Sequence, residues 1–253
     1  MQLIDTADIT PLSLHLPENH HMLVSELSER HLAFIPGSQV RPLLQALMPF
    51  SNEEGKVFRD SWDDLPLDTY MGDGGRYRRR HASYQVSSNG DLERLSDRPH
   101  YQTVDYNHLN GGIDRYFAPI IDGISQNPLM QGLLKLASDT FRAVMPCTDW
   151  FVEAHQFRIE PAQDGGKPTP EGAHRDGVNF VLMVLINRVN IEGGETVIYD
   201  LDRTPITNFT LASPLDVALV NDERVIHGVS PVHAVNRQKS AFRDVLVLTF
   251  RAE

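Results

Sequence analysis

Cysteine is almost absent from the sequence, in which Cys147 is the only one among 253 residues. No intrachain disulfide can therefore form. Cys147 follows Pro146 in an otherwise unremarkable stretch, so we interpret it as a small packed apolar side chain rather than a nucleophile. The first residues also lack the cationic and apolar regions of a secretory signal. Together these absences predict a cytoplasmic protein.

Long apolar runs are missing as well, since the longest one, residues 180–186, is far below the roughly 18 residues that suggest a membrane span. We expect no membrane insertion. Positive charge is scarce, because 23 Lys and Arg residues against 34 Asp and Glu residues give a net charge of −11. Nucleic-acid affinity depends on clustered cations, so DNA and RNA are not expected partners. The dense basic run at residues 76–80 is interpreted first as a solvated or partly salt-bridged strand face.

The pattern of apolar residues changes near residue 149. Residues 128–145 place apolar side chains at mostly three- and four-residue steps, which predicts an amphipathic helix. From residue 149 onward, short β-rich runs alternate with Gly- and Pro-containing turns, which is typical of a sandwich or jelly roll. The predicted strands are 150–159, 173–186, 195–199, 217–220, 224–226 and 244–250.

These elements predict a mainly β fold with helical elaborations. No repeat, low-complexity tract or linker divides the chain, so we expect a single domain over residues 1–253. Within it, a helical or mixed N-terminal part, residues 1–148, would brace one face of a β core, residues 149–253. In the predicted strand 150–159, alternation places His155 on one face and Gln156 on the other, and it leaves open which face points inward.

An H-x-D triplet, formed by His174, Arg175 and Asp176, is the first motif with a chemical meaning. Alone it carries little weight, because a chain of this composition is expected to contain about one by chance. Its context adds weight, since the turn at 170–172 leads into a predicted strand in which residues two apart share a face. An imidazole and a carboxylate would then point the same way, and His227 is the candidate third ligand.

Two neutral imidazoles and one carboxylate on one face of a metal form the facial triad of non-haem Fe(II) oxygenases. Iron is therefore the predicted metal. Zinc is less favoured, because catalytic zinc commonly takes other sets of three protein ligands. The ligand set leaves manganese and cobalt open. The alternative is that His174 and His227 are ordinary hydrogen-bonded histidines of a β-sandwich.

A cation follows the candidate metal ligands. Arg243 opens the last predicted strand, where its guanidinium could project into a barrel near the metal. A guanidinium in a mostly apolar strand needs a counter-anion, and a carboxylate fits its planar fork through two hydrogen bonds. The alternative is a surface salt bridge, for instance with Asp244 or Asp216. Arg237 competes for the same role, although its surroundings are typical of a solvated loop.

These motifs together resemble the Fe(II)/2-oxoglutarate-dependent dioxygenases. The resemblance is closer to a bacterial branch that contains free L-isoleucine 4-hydroxylase and the biofilm- and stress-linked protein BsmA. It covers most of the chain after about residue 65, and no single segment carries it alone. The segments that carry it are residues 75–80, 106–112, 168–177 and 188–195, with the stretches around His227 and Arg243.

The resemblance implies a double-stranded β-helix and three cofactors or cosubstrates: Fe(II), 2-oxoglutarate and O2. It implies hydroxylation of a substrate C–H bond, with succinate and carbon dioxide as the other products. Arg243 would form a salt bridge with the distal carboxylate of 2-oxoglutarate. Val245 stands where several members carry a serine, so Thr249 and Tyr199 are the candidates for an assisting hydroxyl. The implied metal ligands are His174, Asp176 and His227.

The resemblance also implies a small-molecule substrate, with a free aliphatic L-amino acid as the first candidate. Such a zwitterion needs a cationic and an anionic partner, and Arg78, Arg79 and Arg80 with nearby acidic residues supply both. Arg175 is a weaker candidate, because a regular strand would point it away from the metal. Two alternatives stay open: hydroxylation of a peptide or protein side chain, and a metal-dependent stress or biofilm regulator with little turnover. Homo-oligomerisation also stays open.

Overall fold

The chain folds into helices and antiparallel sheets, seen here in a computed structural model that describes residues 18–71, 76–147, 149–162 and 165–253. The helices are α1 (Glu18–Arg30), α2 (Gly37–Leu47), α3 (Asn52–Asp60), α4 (Asp122–Ser125) and α5 (Pro128–Val144), with a 3-10 helix at Ser61–Asp64. The strands are β1 (Leu32–Ile35), β2 (Arg76–Val86), β3 (Leu92–Arg94), β4 (Trp150–Glu160), β5 (Phe180–Val189), β6 (Ile191–Gly193), β7 (Glu195–Tyr199), β8 (Pro205–Thr210), β9 (Val217–Asn221), β10 (Ile226–Val229), β11 (Val232–Ala234) and β12 (Phe242–Ala252).

The strands form one large sheet and two small ones. The large sheet, which we call the major sheet, has seven strands in the order β1-β9-β5-β12-β4-β2-β3. The minor sheets are β10-β7-β8 and β11-β6. Neighbouring strands run antiparallel in all three, and apolar side chains of the major and minor sheets share one core cluster. The predicted mainly β fold, a double-stranded β-helix with N-terminal helices, is confirmed.

The two faces of the major sheet bury different side chains. On β5, Leu182 and Val184 pack with the helices, on what we call the helix face. Val181 and Met183 alternate with them and pack toward the minor sheets, on what we call the inner face. Because both faces are covered, β5 is a continuous apolar run rather than an alternating one.

The predicted helix at 128–145 is confirmed as α5. It begins with Pro128 in its first turn, where the backbone N–H has no partner within the helix and its absence costs no hydrogen bond. The Asn127 side chain caps the helix by accepting from the Leu129 amide. Phe141 stacks on Phe180 with ring centroids 4.6 Å apart, so α5 packs against the helix face. Cys147 is half-buried against the same core, as expected of a packed side chain. No helix in the described ranges is long and apolar enough to cross a membrane.

Two predicted strands differ from the structure. The strand expected at 173–186 begins only at Phe180, because the backbone amides of residues 176–178 donate to the Asp222 carboxylate instead of to a neighbouring strand. The strand expected at 224–226 is mostly a turn, and β10 starts at Ile226. The other four predicted strands are confirmed as β4, β7, β9 and β12.

Candidate functional site

A cavity of about 270 Å³ lies against the inner face of the major sheet. Its walls come from β2, β4, β5, β10 and β12 and from two loops, residues 100–115 and 168–178. All four residues predicted to hold metal and cosubstrate line this one cavity: His174, Asp176, His227 and Arg243. Long-range strand pairing therefore brings together side chains that are far apart in the sequence.

Backbone pairing places the two candidate histidine ligands side by side. His174 and His227 exchange both N–H···O hydrogen bonds, each 2.9 Å long, in an isolated antiparallel bridge. Their Nε2 atoms converge on one carboxylate, at 3.5 Å from Asp176 Oδ1 and 3.3 Å from Asp176 Oδ2 respectively. The Nδ1 of His174 donates to the Gly172 carbonyl at 2.9 Å, which directs Nε2 toward the carboxylates of Asp176 and Glu171, the latter at 3.2 Å.

The donor set fits a divalent cation such as Fe(II). One ligand atom from each of the three residues lies within 4.8 Å of the others. The Nε2 of His227 is buried, makes no hydrogen bond of good geometry within the described residues and lies 3.3 Å from Asp176 Oδ2, so a metal held by that carboxylate would be within its reach. Burial raises the pKa of Asp176, but attraction to His174 and His227 outweighs it and holds that pKa well below its ordinary value. The carboxylate is therefore ionised and ready to bind a cation.

Asp222 holds the loop of the H-x-D triplet in place through hydrogen bonds. The sequence did not predict this role. Its fully buried carboxylate accepts from the amides of Asp176, Gly177 and Val178 at 2.9, 2.8 and 3.2 Å. Gly177 adopts φ +81°, and a Cβ there would lie 2.5 Å from the Tyr106 ring, so only glycine fits. A signal existed, since Asp222 opens the run that ends in His227.

Arg243 is a buried cation without an anionic partner. Its side chain is 3% exposed, its Nε makes no hydrogen bond, and no carboxylate oxygen of the described residues lies within 4.0 Å. Burial, reinforced by repulsion from Arg188, lowers the pKa of Arg243 to about 10, which still leaves it charged near neutrality. A carboxylate of 2-oxoglutarate fits this guanidinium, because an unpaired buried charge is otherwise strongly unfavourable.

The alternative roles for this arginine find no support in its contacts. Asp244 pairs with Arg158 instead, at 2.7 and 2.8 Å, and Asp216 accepts from backbone amides. Arg237, the competing arginine, is exposed and belongs to a different surface pocket. The geometry therefore favours Arg243 over Arg237 as the arginine that binds the cosubstrate.

Neither candidate hydroxyl lies beside Arg243. Thr249 lines the cavity, but it stands six residues farther along β12, a distance of roughly 20 Å in an extended strand. Tyr199 is not among the cavity-lining residues. Assistance of Arg243 by either hydroxyl is not supported.

The basic run at 76–80 divides between the two faces of β2. Arg78 donates to Glu160 at 2.8 Å, and Arg80 donates to the Pro119 carbonyl at 3.0 Å, so both are held outside the cavity. Of the three arginines predicted to bind the substrate carboxylate, Arg79 is the one that lines the cavity. Strand alternation is the reason, since residues 77 and 79 point to the inner face.

The remaining predicted arginines have distinct environments. Arg79 lies between two rings, with its guanidinium carbon 4.3 Å from the centroid of Phe117 and 4.0 Å from that of Phe157. Arg175 donates to the Asp222 carbonyl and is absent from the cavity wall. It supports the H-x-D loop, in agreement with its expected orientation away from the metal ligands.

A second titratable cluster on the inner face was not predicted as a group. One ligand atom from each of four residues lies within 4.8 Å of the others: His81, His100, Glu153 and His155. His81 Nε2 and His100 Nδ1 lie 3.1 and 2.9 Å from the same Glu153 oxygen. Burial raises the pKa of Glu153, but hydrogen bonds from both histidines outweigh it and hold that pKa at about 2. His155 lines the cavity, whereas Gln156 donates to Ser61 on the helix face. These contacts show which face of β4 points inward, a question that the sequence left open.

Comparisons with known proteins agree with this geometry. Residues 59–249 match the family model described as 2OG-Fe dioxygenase. The 3(1)-hydroxy-L-isoleucine 4-dioxygenase of Pantoea ananatis (strain AJ13355) is 28% identical over 237 residues, covering 90% of this chain and 94% of the relative. The L-isoleucine-4-hydroxylase of Bacillus thuringiensis is 28% identical over 192 residues, covering 74% of this chain and 78% of the relative.

Solved structures show the same fold. The crystal structure of a bsmA homolog from Methylobium petroleophilum PM1 superposes with a TM-score of 0.84 and 33% identity, covering 94% of this chain and 95% of that chain. The cofactors expected from the resemblance, Fe(II), 2-oxoglutarate and O2, are those of the matched family. The chain therefore belongs to the 2OG-Fe dioxygenase family and is a 2-oxoglutarate-dependent iron dioxygenase.

Proposed function

We propose that the enzyme hydroxylates a free aliphatic L-amino acid. In this proposal His174, Asp176 and His227 hold Fe(II), and Arg243 holds the distal carboxylate of 2-oxoglutarate. The observation that carries the assignment is that an unpaired buried guanidinium and a His–Asp–His group line one cavity. Bound iron, with 2-oxoglutarate and O2, supplies the oxidising power that converts a C–H bond into C–OH.

The protein's own residues orient the reactants and exclude water. The Gly172 carbonyl sets the tautomer of His174, and Asp222 holds the loop of Asp176 in place. Arg243 fixes one end of 2-oxoglutarate through charge-assisted hydrogen bonds. Apolar side chains of β5 and β12, among them Val181 and Val247, line the cavity and suit an aliphatic chain better than a polar one.

Cavity size supports a small substrate. A volume of about 270 Å³ lies just below the roughly 300–1,000 Å³ typical of small-molecule sites. The curated relatives are named for action on isoleucine or hydroxyisoleucine, which supports an amino acid. A peptide side chain and a regulatory role with little turnover are the competing functions that an experiment must separate.

The test is an anaerobic titration with Fe(II) and 2-oxoglutarate, followed by aerobic reaction with a panel of free L-amino acids. We expect succinate formation to be stimulated by isoleucine, leucine or methionine, with a mass gain of one oxygen on that amino acid. Stimulation by a peptide and by no free amino acid would favour the peptide hydroxylase. Tight binding of both cofactors without any stimulated turnover would favour the regulatory role.

We also propose one dioxygenase domain over residues 1–253, located in the cytoplasm, with a helical or mixed part at 1–148 and a β core at 149–253. Strand pairing across this boundary supports a single domain, because β1 pairs with β9 and β2 with β4 in the same sheet. Cleavage near residue 148 should therefore unfold both parts together, as limited proteolysis with circular dichroism would measure. Light scattering would test whether the protein is a homo-oligomer.

A further inference from the structure

A second buried guanidinium lines the cavity without an anionic partner. Arg115 is 2% exposed, and its Nε makes no hydrogen bond within the described residues. Its guanidinium makes one long polar contact within the described residues, 3.4 Å from Nη2 to the Gln102 amide oxygen, and no carboxylate oxygen of those residues lies within 4.0 Å. The cavity therefore contains two buried cations, Arg243 and Arg115, and neither has a counter-ion among the residues that the structure describes.

Arg79 adds to the positive charge beside Arg115. Its Nε lies 3.3 Å from an Asp68 oxygen, and Asp68 is the acidic residue that acts most strongly on both arginines. Burial lowers the pKa of Arg79 to about 10, with Asp68 opposing and Arg115 reinforcing the shift. Glu171 and Glu153 also act on both arginines, but the Arg79–Asp68 contact is the one ion pair that either forms within the described residues, so the Arg115 guanidinium is open to a ligand carboxylate.

The fold holds Arg115 in place through loop 100–115. Arg115 and His100 pair through two backbone hydrogen bonds of 3.0 and 2.9 Å, which close the loop at its two ends. Inside it, the Gly112 amide donates to the Gln102 carbonyl at 2.8 Å. The Gln102 side chain donates to the Asp176 carbonyl at 3.1 Å, so the loop contacts the backbone of a proposed metal ligand. Arg115 is therefore positioned by the backbone rather than by an ion pair.

We propose that Arg115, assisted by Arg79, binds the carboxylate of the substrate. The inference rests on the proposed amino-acid hydroxylation and deepens it, because it assigns the groups that recognise a zwitterion. Glu153 and Glu171 line the same cavity. Glu153 Oε1 already contacts His81 and His100, and Glu171 Oε1 lies 3.2 Å from His174 Nε2, so the second oxygen of each carboxylate is the acceptor offered to the substrate ammonium. A planar guanidinium pair matches a carboxylate through several charge-assisted hydrogen bonds.

A second metal ion in the His81–His100–Glu153–His155 cluster is the competing use of this wall. The two guanidiniums disfavour it, because Arg79 and Arg115 act on His155 as positive charges and would repel a divalent cation. Three of the four side chains are also engaged with one another, because His81 and His100 both contact Glu153. The Arg115 Nε, which has no hydrogen-bond partner within the described residues, therefore suits a carboxylate rather than a metal ion.

The test compares Arg115→Met with wild type in the full chain, using Arg98→Met as the matched control because Arg98 is exposed. The probe is isoleucine, leucine or methionine, whichever stimulates wild type most, together with its primary amide. For Arg115→Met we expect the amino-acid KM to rise about 100-fold, with the 2-oxoglutarate KM unchanged. Its ligand-free Tm should equal or exceed that of wild type, because the substitution removes an unpaired buried charge.

Discrimination against the amide separates recognition from structural damage. Wild type should use the amino acid about 100-fold better than the amide, and Arg115→Met should lose this preference. An unchanged amino-acid KM in Arg115→Met, or an equal use of amide by wild type, would overturn this inference while leaving amino-acid hydroxylation intact. Wild type that no free amino acid stimulates would overturn the proposed function and this inference with it. If Arg115→Met does not fold, Arg115→Lys takes its place in the same comparison, and a preference for the amino acid equal to that of wild type would overturn the inference.

Discussion

Two neighbouring arginines on opposite faces of the major sheet show how this protein uses buried charge. Arg158, on the helix face, is bound by Asp244 through two contacts of 2.7 and 2.8 Å and by Asp63 at 2.8 Å. Arg243, on the inner face and adjacent to Asp244, has no carboxylate within 4.0 Å in the described structure. A charge that the protein neutralises itself stabilises the fold, whereas a charge left unpaired is available to a ligand.

The same contrast extends along β4. On the helix face Gln156 donates to the Ser61 hydroxyl at 2.8 Å, an internal contact that ties the sheet to the 3-10 helix. On the inner face Glu153 and His155 line the cavity. The helix face should therefore contribute more to stability than the inner face does, and the inner face should control binding. Four predictions test this division, beginning with the largest expected effect.

Removal of the carboxylate at the centre of the proposed metal site should abolish function without unfolding the protein. We expect Asp176→Ala and His174→Ala to lose Fe(II) binding and stimulated succinate formation completely, because each removes one of only three protein ligands. Anaerobic Fe(II) titration measures the loss, with the exposed Asp202→Ala as the control. Stoichiometric, tight binding of iron by both variants would show that the ligand assignment is wrong.

Disruption of the ion pair on the helix face should instead lower stability. Asp244→Ala leaves Arg158 buried with only the exposed Asp63 as partner, so we expect the free energy of unfolding to fall by about 4 kcal/mol. Urea denaturation of the metal-free protein measures it. The double variant Arg158→Met with Asp244→Leu should recover most of the loss, and a single variant as stable as wild type would contradict the division between the faces.

The unpaired arginine of the inner face should show the opposite behaviour. Arg243→Leu should raise the Kd for 2-oxoglutarate about 100-fold while leaving iron binding and the free energy of unfolding unchanged or higher. Calorimetric titration with the iron-loaded protein under nitrogen measures the affinity. Arg237→Leu is the matched control. A loss of affinity in Arg237→Leu, with none in Arg243→Leu, would assign the cosubstrate to the other arginine.

The smallest effect should come from the Glu153 cluster and should depend on pH. The pKa of Glu153 falls from 4.5 to about 2 on folding, so its ionised form stabilises the protein above pH 4.5 and this contribution is lost as the pH falls toward 2. Glu153→Gln should therefore lower the unfolding free energy by about 2 kcal/mol at pH 6 and by progressively less in acid. Parallel denaturation of the exposed Glu192→Gln variant is the control, and a pH-independent difference would contradict this prediction.

The sequence singles out the residues of the proposed iron site because they belong to short motifs, and the fold brings them together. His174 and Asp176 are two residues apart, and His227 and Arg243 each accompany a β-rich run. The strand assignment around the triplet was nevertheless wrong, since the contact that bends residues 176–178 comes from Asp222, more than forty positions away. A local apolar pattern contains no information about such a contact.

The substrate end of the cavity is harder to predict. Arg79 could be singled out from its basic run, but only the observed alternation of β2 separates it from Arg78 and Arg80. Arg115 lies in a loop without periodicity, and its position depends on backbone pairing with His100. Arg115 is unusual because it is buried, and this burial depends on the folded chain rather than on the residues next to it in the sequence.

Loop 100–115 also bears on how such enzymes diversify. Its two ends meet through the His100–Arg115 pairing, so insertions, deletions or replacements between them need not disturb the strands on either side. The constraint that a replacement must respect is the Gln102 contact with the Asp176 backbone. A lineage can therefore acquire a new substrate by changing this one segment while it inherits the same oxygen chemistry from the β core.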